Sequence, residues 1–394
     1  MLTTYDTLVV GAGIFGVTAA HALHARHHKV AILDPGPLPH PLAASTDISK
    51  VIRMEYGRDE TYMQMAEQAI EGWQRWNSEL PEKLYHPTGV MMVTRQPMQP
   101  DGFEYESYQL MLKRGHRPER LDSNAIARRF PAWKPGAFVD GYYHAKGGYA
   151  ESGKVVGTLV NHAKDVGITL YAGQAAVEIV TTNGRVTGVR TQEGQVFNAG
   201  QVLVAAGAWT SVLVPELGPA IYVTGHPVFH LKVADPTLFK PPHFPVFTAD
   251  IANSGWYGFP WHPHQNVIKI ANHGAGQPLH PVHDKRIVND VDIRKLHRFL
   301  ESTFPLLKDA TITYTRRCLY SDTLDGHFWI ARHPQIDGLT VAAGGSGHAF
   351  KFAPILSDLI ADALEGQPNP YLARFGWREM GSDTRSEEAA RCQK

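Results

Sequence analysis

A glycine-rich turn near the start of the sequence has the residue types and the spacing that bind a dinucleotide. The segment Gly11–Gly16 reads G-x-G-x-x-G, follows a short apolar run and opens a helical pattern, and an acid, Asp34, stands about twenty residues further on. Gly11 permits the tight turn, Gly13 lets a pyrophosphate approach the backbone, and Gly16 lets the helix pack closely on the strand. The helix N-terminus would offer N–H groups to the phosphates, and Asp34 would accept hydrogen bonds from ribose hydroxyls. The motif by itself suits NAD as well as FAD.

Two further turns of small residues follow buried-strand patterns later in the chain. One spans residues 206–209 (AGAW) and the other spans residues 344–347 (GGSG). Three such turns would let a long, extended cofactor lie against the backbone at several points, which suits FAD better than NAD. The N–H groups of the last turn can also lie beside the anionic edge of a flavin. Glycines that merely pack the ends of strands are the alternative for each of these two turns.

The elements that must hold these turns follow two kinds of pattern. Strand–turn–helix units occur at the start, in the middle and at the end of the chain, whereas residues 222–316 have the alternating strands and aromatic clusters of an antiparallel sheet. We predict an α/β fold (α+β overall), in which a discontinuous Rossmann-like FAD-binding domain carries an inserted substrate domain built on an antiparallel sheet. Helices are expected at residues 14–26, 62–76, 153–164 and 353–364. The predicted boundaries are 1–80, 145–221 and 317–380 for the FAD-binding domain, 81–144 and 222–316 for the substrate domain, and 381–394 for a mobile tail.

The composition predicts a soluble globular protein. The 394 residues include 38 Lys and Arg and 38 Asp and Glu, so the net charge gives no argument for binding nucleic acid or an anionic membrane. No uninterrupted apolar run reaches the roughly 18 residues that a membrane helix needs. The two cysteines, Cys318 and Cys392, exclude a disulfide-stapled secreted framework, and no zinc-binding pattern accompanies the histidines. We expect a cytoplasmic protein without metal, nucleic-acid or membrane partners, and a monomer by default.

Further motifs are spread over the whole chain. They are the N-terminal fingerprint, residues 47–53 (DISKVIR), residues 256–260 (WYGFP), Ile268-Lys269 with His273, residues 317–320 (RCLY), and residues 344–354. Together they resemble the monomeric sarcosine oxidase group of amine-oxidising flavoenzymes in the D-amino-acid oxidase superfamily. That group includes N-methyltryptophan, pipecolate and fructosyl-amino-acid oxidases. The resemblance implies FAD as cofactor, a small amine as substrate and O₂ as electron acceptor.

The resemblance implies that Cys318 forms a thioether to the 8α-methyl group of the flavin. A thiolate is the nucleophile in such a reaction, and the neighbouring Arg316 and Arg317 would favour its formation. An isolated cysteine is otherwise a small buried hydrophobic residue. Cys392 stands in the polar tail, where no role is expected for it.

Lys269 matches the lysine that activates oxygen above the flavin. A fixed cation in a low-dielectric site would stabilise the charge of superoxide far more than water does. The position of Lys269 on a strand with Val267 and Ile270 would by itself predict a solvent-facing side chain. The role of this lysine therefore depends on the resemblance alone.

Four other side chains match the family's substrate site. Arg53 and Lys351 match the pair that binds a substrate carboxylate, Arg53 as a planar two-pronged donor and Lys351 as a point charge. Without the family resemblance, the sequence would predict that both are cations on the surface. Tyr257 and His273 match pocket residues beside the amine, and together with Lys269 they form the predicted catalytic group.

The cofactor is expected to contact residues from all three turns. These residues are Gly11, Gly13, Ile14, Phe15, Gly16, Asp34, Ser45, Thr46, Lys50, Val177, Ala206, Gly207, Trp209, Cys318, Gly344, Gly345, Gly347, His348 and Lys351. Thr46 and Lys50 stand where sarcosine oxidase has histidine and arginine, and Asp47 followed by Lys50 looks more like the fructosyl-amino-acid branch. The N-substituent of the amine therefore stays open.

The predicted function is FAD-dependent oxidation of a secondary amine, an N-substituted amino acid, to an imine that hydrolyses. Reduction of O₂ to hydrogen peroxide would complete the reaction. One alternative is a flavin dehydrogenase of an amino or imino acid that passes its electrons to another acceptor. The other is a flavoprotein that is not an oxidase.

Overall fold

The computed structural model describes residues 4–379, so the predicted mobile tail 381–394, with Cys392, lies outside the described residues. The strands, in chain order, are β1 (Thr4–Val10), β2 (Val30–Asp34), β3 (Lys50–Ile52), β4 (Tyr85–His86), β5 (Val90–Thr94), β6 (Glu119–Asp122), β7 (Asp140–His144), β8 (Gly148–Ala150), β9 (Thr169–Ala172), β10 (Ala176–Thr182), β11 (Arg185–Thr191), β12 (Val196–Val204), β13 (Ile221–Lys232), β14 (Val246–Ala249), β15 (Trp256–Gly258), β16 (Ile268–Asn272), β17 (Gln277–Pro278), β18 (Thr311–Thr323), β19 (Trp329–Arg332) and β20 (Leu339–Ala343).

The helices confirm the four that the sequence predicts, with ends that differ by at most three residues. They are α1 (Ile14–Ala25), α2 (Glu60–Glu79), α3 (Phe103–Lys113), α4 (Ser123–Arg129), α5 (Ser152–Asp165), α6 (Thr210–Leu213), α7 (Ile251–Ser254), α8 (Asp290–Thr303), α9 (Ala353–Glu365) and α10 (Leu372–Phe375). Short 3₁₀ turns stand at Gly207–Trp209, Pro215–Leu217, Thr237–Phe239, Pro305–Leu307 and Ala349–Phe352. Between residues 4 and 379, no helix combines the length and the hydrophobicity that a membrane crossing requires.

The first sheet brings the three glycine turns to one edge. It has the order β10-β11-β12-β1-β2-β9, and β20 pairs with β12 and with β19. The strands β1, β2, β9, β12 and β20 are parallel, and β2 is buried along its whole length, as a strand covered on both faces must be. Because β1, β12 and β20 end at the same edge, the turns that follow them lie side by side. A discontinuous cofactor-binding sheet is therefore confirmed.

The second sheet is antiparallel apart from one pair of strands. Its order is β17-β13-β16-β15-β14-β5-β7-β6, with β18 beside β13, and β14 runs parallel to β5. This confirms the predicted antiparallel sheet. The strand β18 belongs to this sheet along its whole length and crosses residue 317, where the sequence predicts a domain boundary. The domain boundaries themselves stay a prediction. A small third sheet, β3-β8-β4, carries Lys50.

The two faces of the second sheet pack against different partners. On one face, Ile268 and Ile270 of β16 join an apolar core that also contains Phe299 of α8. On the other face, Cys318 is buried with Ala271 of β16. This second face looks toward the segment that follows β2, because Arg316, two residues before Cys318 on β18, donates hydrogen bonds to backbone carbonyl groups of that segment. Both faces are therefore buried, although the strand pattern suggests one face in solvent.

Candidate active site

A continuous cleft with a volume of about 280 Å³ runs along the edge of the first sheet where the three glycine turns meet. The predicted cofactor residues on its wall are Gly11, Gly13, Ile14, Phe15, Asp34, Ser45, Lys50, Ala206, Gly207, Trp209, Gly344, Gly345 and Gly347. Most of the wall is apolar and much of it is backbone. Such a wall suits an extended cofactor that approaches the main chain at several points.

The first turn has the close backbone packing that its glycines predict. Gly11 has a φ of +106°, and a Cβ atom there would lie 2.5 Å from the carbonyl oxygen of Ala205. A Cβ atom on Gly16 would lie 1.9 Å from the carbonyl oxygen of Gly11. Only glycine therefore lets α1 begin this close to β1. Gly16 supports the turn from behind and is not on the wall of the cleft.

Asp34, at the end of β2, is held in place by two backbone N–H groups. The N–H of Ala12 donates to one carboxylate oxygen at 2.8 Å, and the N–H of Gly36 donates to the other at 3.1 Å. Burial raises the pKa of Asp34, and these two hydrogen bonds oppose the rise. Across the turn, the hydroxyl of Ser45 accepts a hydrogen bond from the N–H of Ile14 at 3.2 Å. A carboxylate with further acceptor capacity beside a glycine-lined turn fits the ribose and pyrophosphate of FAD.

Several predicted cofactor residues lie away from the wall of the cleft. Val177 is 51% exposed, because alternation along β10 turns the side chain of its neighbour, Ala176, inward instead. The hydroxyl of Thr46 donates to backbone carbonyl groups of its own loop, at 2.6 and 3.0 Å. His348 and Lys351 line the neighbouring pocket described next.

A smaller pocket of about 70 Å³ adjoins the cleft. Lys50, Tyr320, Gly347 and Phe350 line both cavities, so the two share a wall. Four of the predicted substrate and catalytic residues meet in this pocket, although they come from distant parts of the chain. They are Arg53, Tyr257, His273 and Lys351. The other polar side chains of the lining belong to Lys50, Thr248, Tyr320 and His348, and within residues 4–379 the lining contains no carboxylate.

Arg53 and Lys351, two of the three cations of this pocket, are held by aromatic rings and by carbonyl groups. The guanidinium of Arg53 lies 5.3 Å from the ring centre of Tyr56, and it donates a hydrogen bond to the carbonyl oxygen of Glu55. The Nζ of Lys351 donates to the hydroxyl of Tyr56 at 2.7 Å and to the carbonyl oxygen of His348 at 2.8 Å. Tyr56 therefore links the two cations and fixes their positions at the pocket.

Lys269 is buried, which makes the strand-pattern prediction of a solvent-facing side chain wrong. Its Nζ lies 2.7 Å from a carboxylate oxygen of Asp47, donates to the carbonyl oxygen of Ser49 at 2.5 Å and stands 4.6 Å from the ring centre of Phe259. Burial lowers the pKa of Lys269 to about 8, while Asp47 acts in the opposite direction. Burial by itself would raise the pKa of Asp47, but Lys269, together with His230, Lys50 and Arg316, outweighs this and keeps the pKa well below its usual range.

Cys318 lies on the face of β18 that looks toward the segment after β2, where it is buried beside Tyr257. It is not on the wall of the cleft, which its neighbours Leu319 and Tyr320 line. Arg316 has the same orientation, as its hydrogen bonds to the segment after β2 require. Arg317 points to the opposite face and forms an ion pair with Asp292. The interpretation that both arginines favour the thiolate is therefore wrong for Arg317, because successive residues of a strand face opposite ways.

Tyr257 and His273 form one side of the pocket. Their ring centres are 6.4 Å apart in an edge-to-face arrangement, and Tyr320 lies 5.7 Å from His273. Burial raises the pKa of Tyr257 far above neutrality, so its phenol group is protonated at working pH. A protonated phenol can donate a hydrogen bond but cannot act as a base.

Glu55, two residues after Arg53, is buried behind the pocket and pairs with His144. Burial by itself would raise the pKa of Glu55, but the ring of His144, whose Nε2 lies 2.5 Å from the carboxylate, outweighs this and lowers the pKa to about 2. A carboxylate with a lowered pKa stabilises the fold above its unfolded pKa of about 4.5, and this stabilisation is lost as the pH falls toward 2.

The substitution Glu55→Gln should therefore cost about 3 kcal/mol of unfolding free energy at pH 6 and much less near pH 3. Urea unfolding at the two pH values measures the difference. The exposed Glu79→Gln change on α2 is the control and should show no such dependence. An equal loss from Glu55→Gln at both pH values would reject the ionic role of Glu55.

Sequence reasoning assigned no role to several residues of the site. Phe103, Phe259 and Tyr320 form aromatic walls of the pocket, and the buried Tyr56 supports two of its cations from behind. Nothing in the local patterns of these residues distinguishes them from ordinary core residues. Asp47 lies in the DISKVIR motif, three residues before Lys50. Its partner Lys269, however, lies 222 positions further along the chain.

Comparison with known proteins agrees with this geometry. Residues 6–363 match the family model described as FAD dependent oxidoreductase. The chain is 29% identical to monomeric sarcosine oxidase of Streptomyces avermitilis, over 97% of this chain and 99% of that protein. It is 26% identical to L-saccharopine oxidase of Schizosaccharomyces pombe, over 98% of this chain and 95% of that protein.

The fold also has a solved counterpart. Fructosyl amine:oxygen oxidoreductase (Amadoriase I) from Aspergillus fumigatus superimposes with a TM-score of 0.81 and 24% identity, covering 96% of this chain and 90% of that one. The family match spans nine-tenths of the sequence, and the cleft at the glycine turns has the chemistry that FAD requires. The chain therefore belongs to the family of FAD-dependent oxidoreductases.

Proposed function

We propose that this enzyme oxidises a secondary amine that carries a carboxylate, and that it reduces O₂ to hydrogen peroxide. The observation that best supports this proposal is the positive charge of the pocket beside the cofactor cleft. Lys50, Arg53 and Lys351 line it, and among the described residues 4–379 no carboxylate joins them in the lining. A cationic pocket of this kind attracts and orients an anionic substrate group, as in an amino acid.

FAD, when bound, would accept a hydride equivalent from the substrate carbon and deliver the electrons to O₂. The residues that would hold its ADP part are those of the first turn and Asp34. Cys318 would hold the flavin through a thioether. Arg53 and Lys351 would bind the substrate carboxylate, so that the amine lies beside Tyr257 and His273. Fixing the substrate at one end contributes to catalysis by orienting the carbon that reacts.

The relatives support the choice of substrate class. Monomeric sarcosine oxidase and L-saccharopine oxidase are both named for N-substituted amino acids, which are secondary amines with a carboxylate. Anaerobic mixing of the enzyme with sarcosine, longer N-alkyl amino acids, cyclic imino acids, saccharopine and fructosyl amino acids tests the proposal. We expect at least one of these amines to bleach the flavin absorbance. A panel in which none does so contradicts the proposal.

Cys318→Ser is expected to convert a covalently held flavin into a dissociable one. In the parent enzyme, acid precipitation should leave the yellow colour in the protein pellet, because a thioether survives denaturation. In the Cys318→Ser variant the colour should move to the supernatant. Cys392→Ser is the matched control and should behave like the parent. Free flavin released from the parent enzyme would reject the covalent link.

A further inference from the structure

A third cavity reaches the ion pair of Lys269 from another side of the molecule. It is open, has a volume of about 470 Å³, and shares no lining residue with the cofactor cleft or the substrate pocket. The exposed side chains of Gln265, Thr313 and Tyr314 form its outer part. Its inner wall includes Asp47 and His230, whose side chains are only 3% and 10% exposed.

Asp47 stands between His230 and Lys269. One carboxylate oxygen lies 2.7 Å from the Nζ of Lys269, and the other lies 3.5 Å from the Nε2 of His230. The register of the second sheet explains this arrangement. His230 of β13 is directly opposite Lys269 of β16, so the two side chains leave the sheet on the same face. A continuous series of groups therefore leads from the open cavity through the imidazole of His230 and the carboxylate of Asp47 to the ammonium of Lys269.

This inference rests on the proposed oxidase function, because the reduction of O₂ needs a supply of protons at the oxygen site. O₂ gains two electrons and two protons when it becomes hydrogen peroxide. The two electrons and one proton leave the substrate carbon as a hydride equivalent, and the second proton must come from a group near the oxygen. Lys269 is a buried cation that can give up this proton. It must then regain one from water before the next turnover.

We propose that the third cavity is the proton entrance of the oxygen site, with His230 and Asp47 as the groups that return a proton to Lys269. Water in the cavity protonates His230, which passes the proton to the facing oxygen of Asp47. The carboxyl group passes it to the amine, and the ammonium is restored. When Lys269 has lost its proton, Asp47 has lost its counter-charge, so its affinity for the incoming proton rises at that moment.

The surroundings of Asp47 make this route directional. Arg316 of β18 and Lys50 also face Asp47, and Tyr314 lies 4.8 Å from the ring of His230. The two fixed cations keep Asp47 ionised between turnovers, so that it acts as an acceptor. The route also avoids the substrate pocket, which the amine or its product fills during the reaction.

The test follows reoxidation without any amine. The holoenzyme is reduced with dithionite and mixed with O₂ in a stopped-flow instrument, in H₂O and in D₂O. We expect His230→Ala to slow reoxidation about 100-fold, a typical loss for a missing proton-transfer group. Imidazole should restore the rate in a saturable way by entering the open cavity. His264→Ala, an exposed histidine on a nearby loop, is the matched control.

Asp47→Asn provides a readout that does not depend on activity. Acetylation of Lys269, followed by mass spectrometry across a pH series, reports the pH at which the amine becomes neutral. We expect the midpoint to fall in Asp47→Asn, because the carboxylate that favours the ammonium is gone. An unchanged midpoint would show that Asp47 does not govern this proton.

The outcomes separate the two proposals. If dithionite-reduced parent enzyme reacts slowly with O₂, the oxidase function is rejected. If the parent reacts fast and His230→Ala reacts equally fast, with the same solvent isotope effect, the proton entrance is rejected while the oxidase function stands. A slow His230→Ala variant that imidazole does not rescue also contradicts the proposal.

Discussion

Lys269→Met should slow the reaction of the reduced enzyme with O₂ about 10²- to 10³-fold, equivalent to about 2.7–4 kcal/mol of transition-state stabilisation. The ammonium of Lys269 is buried, where water screens it little, and Asp47 and a carbonyl group hold it in place, so it can stabilise a negative charge that develops nearby. Methionine keeps most of the length of the side chain and removes the charge with its hydrogen bonds. Stopped-flow reoxidation measures the effect, and anaerobic reduction by the amine should change little.

The pH dependence gives a second measure of the same role. The pKa of Lys269 is lowered to about 8, so the ammonium is present below that pH and is lost above it. Reoxidation by the parent enzyme should slow as the pH rises through 8, and Lys269→Met should lose this dependence. The exposed Lys308→Met change is the control. Equal slowing of both half-reactions by Lys269→Met would reject the oxygen role and would favour a dehydrogenase that uses another acceptor.

Arg53→Met should lower kcat/KM for a carboxylate-bearing amine about 10- to 100-fold, because a hydrogen bond to a charged group contributes about 1.5–3 kcal/mol. The guanidinium is already positioned by Tyr56 and by the carbonyl group of Glu55, so little ordering is needed when the substrate binds. Lys351→Met should act in the same direction. Steady-state kinetics with the best amine of the panel measure both effects.

An uncharged analogue shows whether the carboxylate is the group that Arg53 recognises. When the substrate carboxylate is replaced by a carboxamide, the parent enzyme should lose most of its activity. The Arg53→Met variant should have nearly the same kcat/KM for the two substrates. Arg58→Met, at a 55% exposed side chain that pairs with Asp101 and Glu106, is the matched control. If Arg53→Met keeps the full preference for the carboxylate, the assignment of Arg53 is wrong.

The parts of the site that could be predicted from local pattern are those whose interactions are local in sequence. The first turn, its strand, its helix and Asp34 fall within residues 4–34, and for Gly11 and Gly16 the structure bears out the predicted steric reason. The later turns at 206–209 and 344–347 follow strands that are apolar throughout, which is typical of a parallel sheet. Their meeting in a single cleft follows from the pairing of β12 with β1 and β20.

The substrate pocket required the family resemblance as well. Nothing in the local patterns of Arg53, Lys351 or His273 separates these residues from surface polar side chains, and Arg53 lies more than two hundred residues before the other two. The role of Tyr56, which links Arg53 to Lys351, cannot be predicted from local pattern, because an aromatic residue beside a helix usually belongs to the core. Val177 was expected at the cofactor but lies on the outward side of its strand.

The first turn, the parallel strands behind it and a dinucleotide-binding role follow from the sequence, because a strand buried on both faces and a glycine with a close backbone neighbour are visible in residue type. The burial of Lys269 is not visible in this way. Alternation along β16 shows only that its two faces differ. It predicts that the polar face lies in solvent, although another part of the fold can cover that face. Packing of the second sheet against the cofactor segment covers that face, pairs Lys269 with Asp47 and turns a lysine of ordinary appearance into the buried cation of the site.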